Sequence, residues 1–159
     1  MSIRTLISTS LFTLALSSTP ALAKDDPKVA AEVIELAKAQ WAAEIANKPI
    51  ADQLASLADD YTEINNDFPV RVDGKALNSR LGEAGLKDGG KSLVADLANA
   101  KVQVYGDTAI LSYNYLGMVQ SKDGKVKPQT GKSTRVYAKI DGKWKLVHAH
   151  FSPVTAPKD

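Results

Sequence analysis

The chain has 159 residues, a formal net charge of +2 at pH 7 and no cysteine. This length suits one domain of ordinary size, and the near-neutral mixture of charges gives no electrostatic reason to expect binding to nucleic acid or to a membrane surface. The absence of cysteine excludes disulfides, thiol nucleophiles and a lipoprotein anchor.

Residues 1–23 have the three parts of a cleavable secretory signal peptide. Arg4 supplies a positive charge, residues 6–16 are mostly apolar and uncharged, and an A-x-A cleavage site ends at Ala23. The apolar stretch is shorter than the roughly 20 residues that a membrane-spanning helix needs, and no later segment is apolar enough to serve as an anchor. We therefore expect export, to the periplasm if the source is Gram-negative and otherwise out of the cell, with Lys24 as the mature N-terminus.

The first half of the mature chain has helical patterns. Apolar residues recur at helical spacing over residues 26–47, and Pro49 ends this predicted helix. Shorter helices are predicted over residues 50–58 and 75–81. The charged residues of the first helix, Glu44 among them, fall off its apolar stripe and are expected to face solvent.

From residue 92 onward, strand patterns replace the helical ones. The predicted strands cover residues 92–105, 108–119, 130–140 and 143–153, and the clearest turn between them is Asp141-Gly142. Three successive hairpins predict a four-stranded antiparallel meander. Helices first and strands second predict an α+β fold, in which the helices pack on one face of a curved sheet.

Three stretches carry a resemblance to known proteins. The sequence YGDTAILSYNY at residues 105–115, followed by STRVYAKIDGKWKLVHAHFSP at residues 133–153, is similar to the association domain of calcium/calmodulin-dependent protein kinase II and its bacterial relatives. The sequence SLADDYTEI at residues 56–64 is similar to a helix-to-strand junction of the nuclear-transport-factor-2-like (NTF2-like), or SnoaL-like, superfamily. The resemblance covers residues 28–153 and implies a cone-like α+β roll, with N-terminal helices on a curved, mainly antiparallel sheet.

The implied fold is shared by isomerases, dehydratases, cyclases, hydrolases and pure assembly modules, so the resemblance specifies fold more than function. It implies one domain over residues 24–153 and a short flexible tail at residues 154–159. Members of the superfamily commonly dimerise through the open face of the sheet, which predicts a homodimer or a higher homo-oligomer.

The clearest candidate for ligand binding is Arg135, in the middle of a predicted strand. An arginine that points inward must be paired or must await an anion, because an unpaired buried charge is very costly. The resemblance implies that it lines a pocket between the first helix and the sheet, where Phe151 replaces a further arginine of the family. Cross-strand packing is the alternative role for the tyrosines, and a solvated helix position is the alternative for Arg80. The predicted ligand-binding residues are Arg135, Tyr115, Tyr113, Tyr137, Trp41, Tyr61, Asn65 and Arg80.

Catalysis of the ketosteroid-isomerase type requires a carboxylate base and a phenol or acid that binds an oxyanion. By resemblance, Asn65 and Trp41 stand where that isomerase has its aspartate and its first-helix tyrosine, and both departures count against this activity. Asp67 is a candidate displaced base, and His150 is a second weak catalytic candidate.

The two histidines of the chain, His148 and His150, are two residues apart and are expected to share one strand face with Trp144 and Leu146. No third nitrogen or sulfur ligand accompanies them, so we expect no metal site. The sequence favours an exported, self-associating domain that binds a small polar or anionic molecule without a cofactor. The alternative is a small SnoaL-like enzyme, an isomerase, dehydratase or hydrolase that uses acid–base chemistry.

Overall fold

The computed structural model describes residues 23–154. The predicted signal peptide, apart from Ala23, and the predicted tail after Val154 lie outside the described residues. The described helices are α1 (Pro27–Ile45), α2 (Ile50–Gln53) and α3 (Lys75–Lys87). The described strands are β1 (Leu57–Ile64), β2 (Val72–Asp73), β3 (Lys91–Tyr105), β4 (Thr108–Gln120), β5 (Val126–Ile140) and β6 (Lys143–Pro153).

Helix α1 begins where its sequence offers a cap. The carboxylate of Asp26 accepts hydrogen bonds from the backbone nitrogens of Lys28 and Val29, at 3.1 and 3.0 Å, and Pro27 occupies the first turn, where its missing N–H is not needed. The helix buries its apolar stripe, including Val33 and Trp41, against the sheet. Because the stripe is held against the sheet, the positions of the polar residues on either side of it are fixed as well.

The six strands form one sheet in the order β2-β1-β6-β5-β4-β3. The predicted meander of four strands is confirmed, since β3 to β6 pair antiparallel with their neighbours. Asp141 and Gly142 both adopt positive φ, at 49° and 75°, as the predicted hairpin turn requires. Strand β1 extends the meander by pairing parallel to β6. The α+β prediction is therefore confirmed.

One expectation about β6 is wrong. The pairing of β6 with β5 shifts by one residue at Val147, which forms a β-bulge. Before the bulge, Leu146 faces the helices and is 1% exposed; after it, the fully buried Ala149 takes that side. His148 and His150 therefore point to the opposite face from Leu146, because an inserted residue reverses the alternation that the sequence predicts.

The two faces of the sheet have different surroundings. All three described helices border the face that carries the core, which we call the inner face. The opposite, outer face is covered by none of these helices and carries exposed apolar side chains, among them Leu116, Ile140 and Ile64. His148 and His150 also lie on the outer face, so the sheet lies between them and the inner face.

Candidate functional site

A cavity of about 540 Å³ opens between the three helices and the inner face of the sheet. Each helix contributes lining residues, and the sheet contributes residues from β1 and from β3 to β6. Its lining combines aromatic and aliphatic side chains with several charged and amide groups. Those that bear on its chemistry are Gln40, Trp41, Glu44, Tyr61, Glu63, Asn65, Asp67, Asn78, Tyr115, Arg135 and Phe151.

Arg135 is the buried cation of this cavity and is 2% exposed. Its Nε donates to the Tyr113 hydroxyl at 3.0 Å, and its Nη1 donates to Oε1 of Gln40 at 2.8 Å. The rings of Trp41 and Phe151 have their centroids 5.2 and 5.7 Å from its Cζ. It forms no ion pair with any residue that the structure describes, so its charge is held by neutral groups alone.

Tyr113 and Tyr137, both predicted to bind ligand, lie in the core and do not line the cavity. The Tyr113 hydroxyl accepts the hydrogen bond from Nε of Arg135. The hydroxyl of Tyr137 lies close to Arg135 but outside hydrogen-bonding geometry, and it has no partner among the described residues. Burial raises the pKa of Tyr137, so this phenol stays neutral. Both tyrosines therefore lie next to Arg135, behind the lining of the cavity.

A second polar group of the cavity is centred on Glu63, in β1. Tyr61 donates its hydroxyl hydrogen to Oε2 of Glu63 at 2.8 Å, and Nδ2 of Asn78 donates to the same oxygen at 3.1 Å. Nδ2 of Asn65 donates to the other oxygen, Oε1. Burial, and then the charge of Glu63, raise the pKa of Tyr61. Donors from α3, β1 and the segment after it therefore fix the Glu63 carboxylate in place.

Glu44 is a residue of the site that the sequence failed to predict. It was expected to face solvent, but it lines the cavity next to Trp41 and accepts a hydrogen bond from Nε2 of Gln40 at 2.9 Å. Burial raises the pKa of Glu44, and the hydrogen bond from Gln40 and the charge of Arg135 oppose that rise in part. The raised pKa favours the protonated form of this carboxyl group over a wider pH range than for an exposed glutamate.

The remaining candidates divide between the cavity and the surface. Asp67 lies exposed at the cavity mouth, where its backbone nitrogen donates to Oδ1 of Asn65 at 2.9 Å. Arg80 is exposed and does not line the cavity, which agrees with the alternative that it occupies a solvated helix position. His150 lies exposed on the outer face, behind the sheet from the cavity.

The outer-face histidines are engaged with hydroxyl groups. Nδ1 of His148 lies 2.8 Å from Oγ1 of Thr62, and Nε2 of His150 lies 3.4 Å from Oγ of Ser152. Within residues 23–154, no group of three or more histidine, aspartate or glutamate side chains could hold a metal ion. Nor does any helix in this range have the length and apolar character that crossing a membrane requires.

The comparisons with known proteins agree with this fold. The family model for the calcium/calmodulin-dependent protein kinase II association domain matches residues 29–155. The chain belongs to this family. No curated protein matches the sequence.

Solved structures similar to this chain have the NTF2-like fold, which confirms the predicted cone-like roll. An NTF2-like protein of unknown function from Pseudomonas putida is 23% identical, with a TM-score of 0.68 over 84% of this chain and 90% of that one. An NTF2-like protein from Salmonella enterica is 19% identical, with a TM-score of 0.70 over 83% and 95%. The association domain of the kinase from C. elegans is 16% identical, with a TM-score of 0.63 over 79% and 96%.

Gly117 provides the space that Tyr115 occupies beside the cavity. A Cβ at Gly117 would lie 2.5 to 2.8 Å from atoms of the Tyr115 phenol. We expect Gly117→Ala to displace this ring and to lower the free energy of unfolding by about 1 kcal/mol, at the low end of overpacking because the ring can move. Urea denaturation followed by circular dichroism measures this loss.

Gly85→Ala is the matched control for Gly117→Ala. Gly85 lies inside α3, and a Cβ there would meet nothing within 4 Å. Since alanine favours a helix over glycine, this variant is expected to gain up to about 1 kcal/mol. Equal stability of the two variants would show that Gly117 provides no required space.

The raised pKa of Glu44 predicts a pH-dependent stability. Between its ordinary pKa of 4.5 and its raised value, the folded protein holds a proton that the unfolded chain has released. The corresponding stabilisation is present below about pH 4.5 and is lost as the pH rises through the folded pKa. Relative to the parent, Glu44→Gln should therefore gain stability as the pH rises above about 4.5. Glu35→Gln, at an exposed carboxyl of α1, is the control and should leave the denaturation curves unchanged.

Proposed function

We propose that this protein is an exported, self-associating domain that binds a small polar or anionic molecule in the cavity of its cone, without a cofactor. The observation that carries the proposal is Arg135, a buried cation at the cavity with no ion pair among the described residues. Taking a charge out of water is costly unless other groups compensate for it. A ligand that offers an anionic or carbonyl oxygen would supply that compensation.

The shape and lining of the cavity support the same function. Pockets for small molecules are concave and mostly apolar, with a few polar groups that orient the ligand. Here Trp41, Tyr115 and Phe151 supply aromatic surface, and Arg135 supplies a directed charge. Its guanidinium has five N–H bonds, of which two are used by Tyr113 and Gln40. The remaining donors are available to a ligand.

A screen of small acids and neutral polar compounds by thermal shift tests this proposal. A ligand at 100 times its dissociation constant should stabilise the parent protein by about 2.7 kcal/mol. Arg80→Met, which removes an exposed arginine outside the cavity, should respond as the parent does. Arg135→Met should not respond. Hits that stabilise Arg135→Met as strongly as the parent would contradict the proposal.

Self-association is supported by membership of an association-domain family and by the uncovered outer face of the sheet. Leu116 on this face is 46% exposed, and Ile140 and Ile64 are similarly exposed. A second copy that covers these side chains would remove apolar surface from water. Light scattering at micromolar concentration measures the mass in solution, and a monomer would contradict this part of the proposal.

Export is supported by the pattern of residues 1–23 and is compatible with the domain. The backbone nitrogen of Lys24 donates to the backbone oxygen of Val104 at 3.0 Å, and α1 begins at Pro27. Cleavage after Ala23 would therefore leave every described helix and strand intact. The intact mass of the exported protein should correspond to a chain that begins at Lys24, and an uncleaved chain would exclude this processing.

A further inference from the structure

The two opposite charges of the cavity are joined by an amide rather than by direct contact. Oε1 of Gln40 accepts from Nη1 of Arg135 at 2.8 Å, while Nε2 of the same amide donates to Oε1 of Glu44 at 2.9 Å. Gln40 and Glu44 are four residues apart on α1, so they project from the same side of the helix. The amide therefore fixes the position of a carboxyl group relative to a guanidinium.

This bridge leaves hydrogen-bonding capacity on both charged groups. A direct ion pair would satisfy Arg135 and Glu44 with each other. With Gln40 between them, Oε2 of Glu44 has no hydrogen-bond partner among the described residues, and neither do several guanidinium N–H groups. Both side chains line the same cavity. A molecule inside it would meet a cationic donor and an anionic acceptor that are set a short distance apart.

We propose that the ligand of this cavity is a small zwitterion, whose carboxylate binds Arg135 and whose ammonium group binds Glu44, on a body that packs against the aromatic lining. This inference rests on the proposed function and narrows its ligand class. The aromatic part of the lining consists of Trp41, Tyr61, Phe68, Tyr115 and Phe151.

The charges of the lining disfavour a ligand of single charge. A plain anion would bind Arg135 but would also approach Glu44, Glu63 and Asp67. A plain cation would bind Glu44 but would leave Arg135 uncompensated. Glu63 is already held by donors from Tyr61, Asn65 and Asn78. Glu44 is therefore the half-buried carboxyl whose second oxygen has no hydrogen-bond partner among the described residues. A zwitterion satisfies both charged groups at once.

The protonation of Glu44 provides a second indication of the same ligand class. Burial raises the pKa of Glu44, and an ammonium group beside it would lower that pKa again. Binding of a zwitterion should therefore release a proton from the protein at pH values between the bound and the free pKa. A monoanion has no cationic group to cause this release.

Three probes of matched shape test the inference by isothermal titration calorimetry on the mature protein. Phenylalanine carries both charges, 3-phenylpropanoate lacks the ammonium group, and 2-phenylethylamine lacks the carboxylate. We expect phenylalanine to bind at least about tenfold more tightly than either analogue, about 1.4 kcal/mol. Its binding enthalpy should also vary with the ionisation enthalpy of the buffer, as proton release requires.

The variant Glu44→Gln keeps the size of the side chain and removes its charge. It should bind phenylalanine no more tightly than 3-phenylpropanoate and should release no proton, whereas Glu35→Gln, at an exposed carboxyl of the same helix, should behave as the parent. Circular dichroism checks that both variants fold.

Equal affinities for the three probes, or an unchanged preference in Glu44→Gln, would overturn the zwitterion inference and leave the binding function standing. Failure of all three probes to bind would also overturn it, because phenylalanine carries both charges on a body that can pack against the aromatic lining. The binding function itself is decided separately, by the wider screen and the response of Arg135→Met.

Discussion

Replacing Trp41 with alanine is expected to lower the free energy of unfolding by about 3–5 kcal/mol, the usual range for removing a buried aromatic side chain. The indole is 4% exposed and forms edge-to-face contacts with Tyr113 and Tyr115, at centroid distances of 5.7 and 5.5 Å. The Cζ atom of Arg135 lies 5.2 Å from the centre of the same ring. The variant would therefore lose hydrophobic burial, two aromatic contacts and a cation–π contact together.

The expected loss is a large share of the 5–15 kcal/mol that stabilises a typical domain. Urea denaturation followed by far-ultraviolet circular dichroism measures it without relying on tryptophan fluorescence. Lys38→Ala, one turn earlier on α1 and about half exposed, is the matched control and should change the free energy by less than about 0.5 kcal/mol. A loss below 1 kcal/mol for Trp41→Ala would mean that α1 is held to the sheet by other contacts.

The local parts of the fold could be predicted from the sequence, because their signals are local. Asp141-Gly142 and the alternation around it predict a hairpin, and residues 26–47 carry the period of an amphipathic helix. The parallel pairing of β1 with β6 has no such signal, because these strands are far apart along the chain. The bulge at Val147 was missed for another reason: nothing in the apolar pattern marks an extra residue within a strand.

The sequence also predicted part of the site, namely the residues that have a local signal. Arg135 and Trp41 are a charge on a strand and an aromatic residue on a helix stripe, and both lie where the alternation and the resemblance imply. Glu44 was missed because a stripe drawn through apolar residues assigns every glutamate beside it to solvent. Glu44 lies four residues after Gln40, which directly precedes Trp41, and side chains at this spacing are neighbours on a helix. That spacing is the signal that could have identified Glu44. Only the packing of α1 shows that this edge of the helix faces a cavity.

Arg135→Met is expected to raise the free energy of unfolding by up to about 2 kcal/mol while it removes the response to ligand. A buried charge without a carboxylate partner destabilises the folded state, and replacing buried ionic groups with apolar ones of similar size is often stabilising by about 1–4 kcal/mol. Methionine is long, unbranched and flexible enough to fill the space of the arginine stem. The change also deprives Tyr113 and Gln40 of a donor, which offsets the gain by about 1 kcal/mol for each hydrogen bond.

The same measurement separates two roles of Arg135. If the arginine holds the core together through Tyr113, Gln40 and Trp41, Arg135→Met should lose stability, by more than 1 kcal/mol in urea denaturation. If it is kept for a ligand, the variant should gain stability and lose binding, since functional sites are often retained at the expense of stability. Arg80→Met removes an exposed arginine outside the cavity and should change neither property. A gain in stability with binding intact would show that the ligand is held elsewhere, and the proposed role of this buried cation would then be wrong.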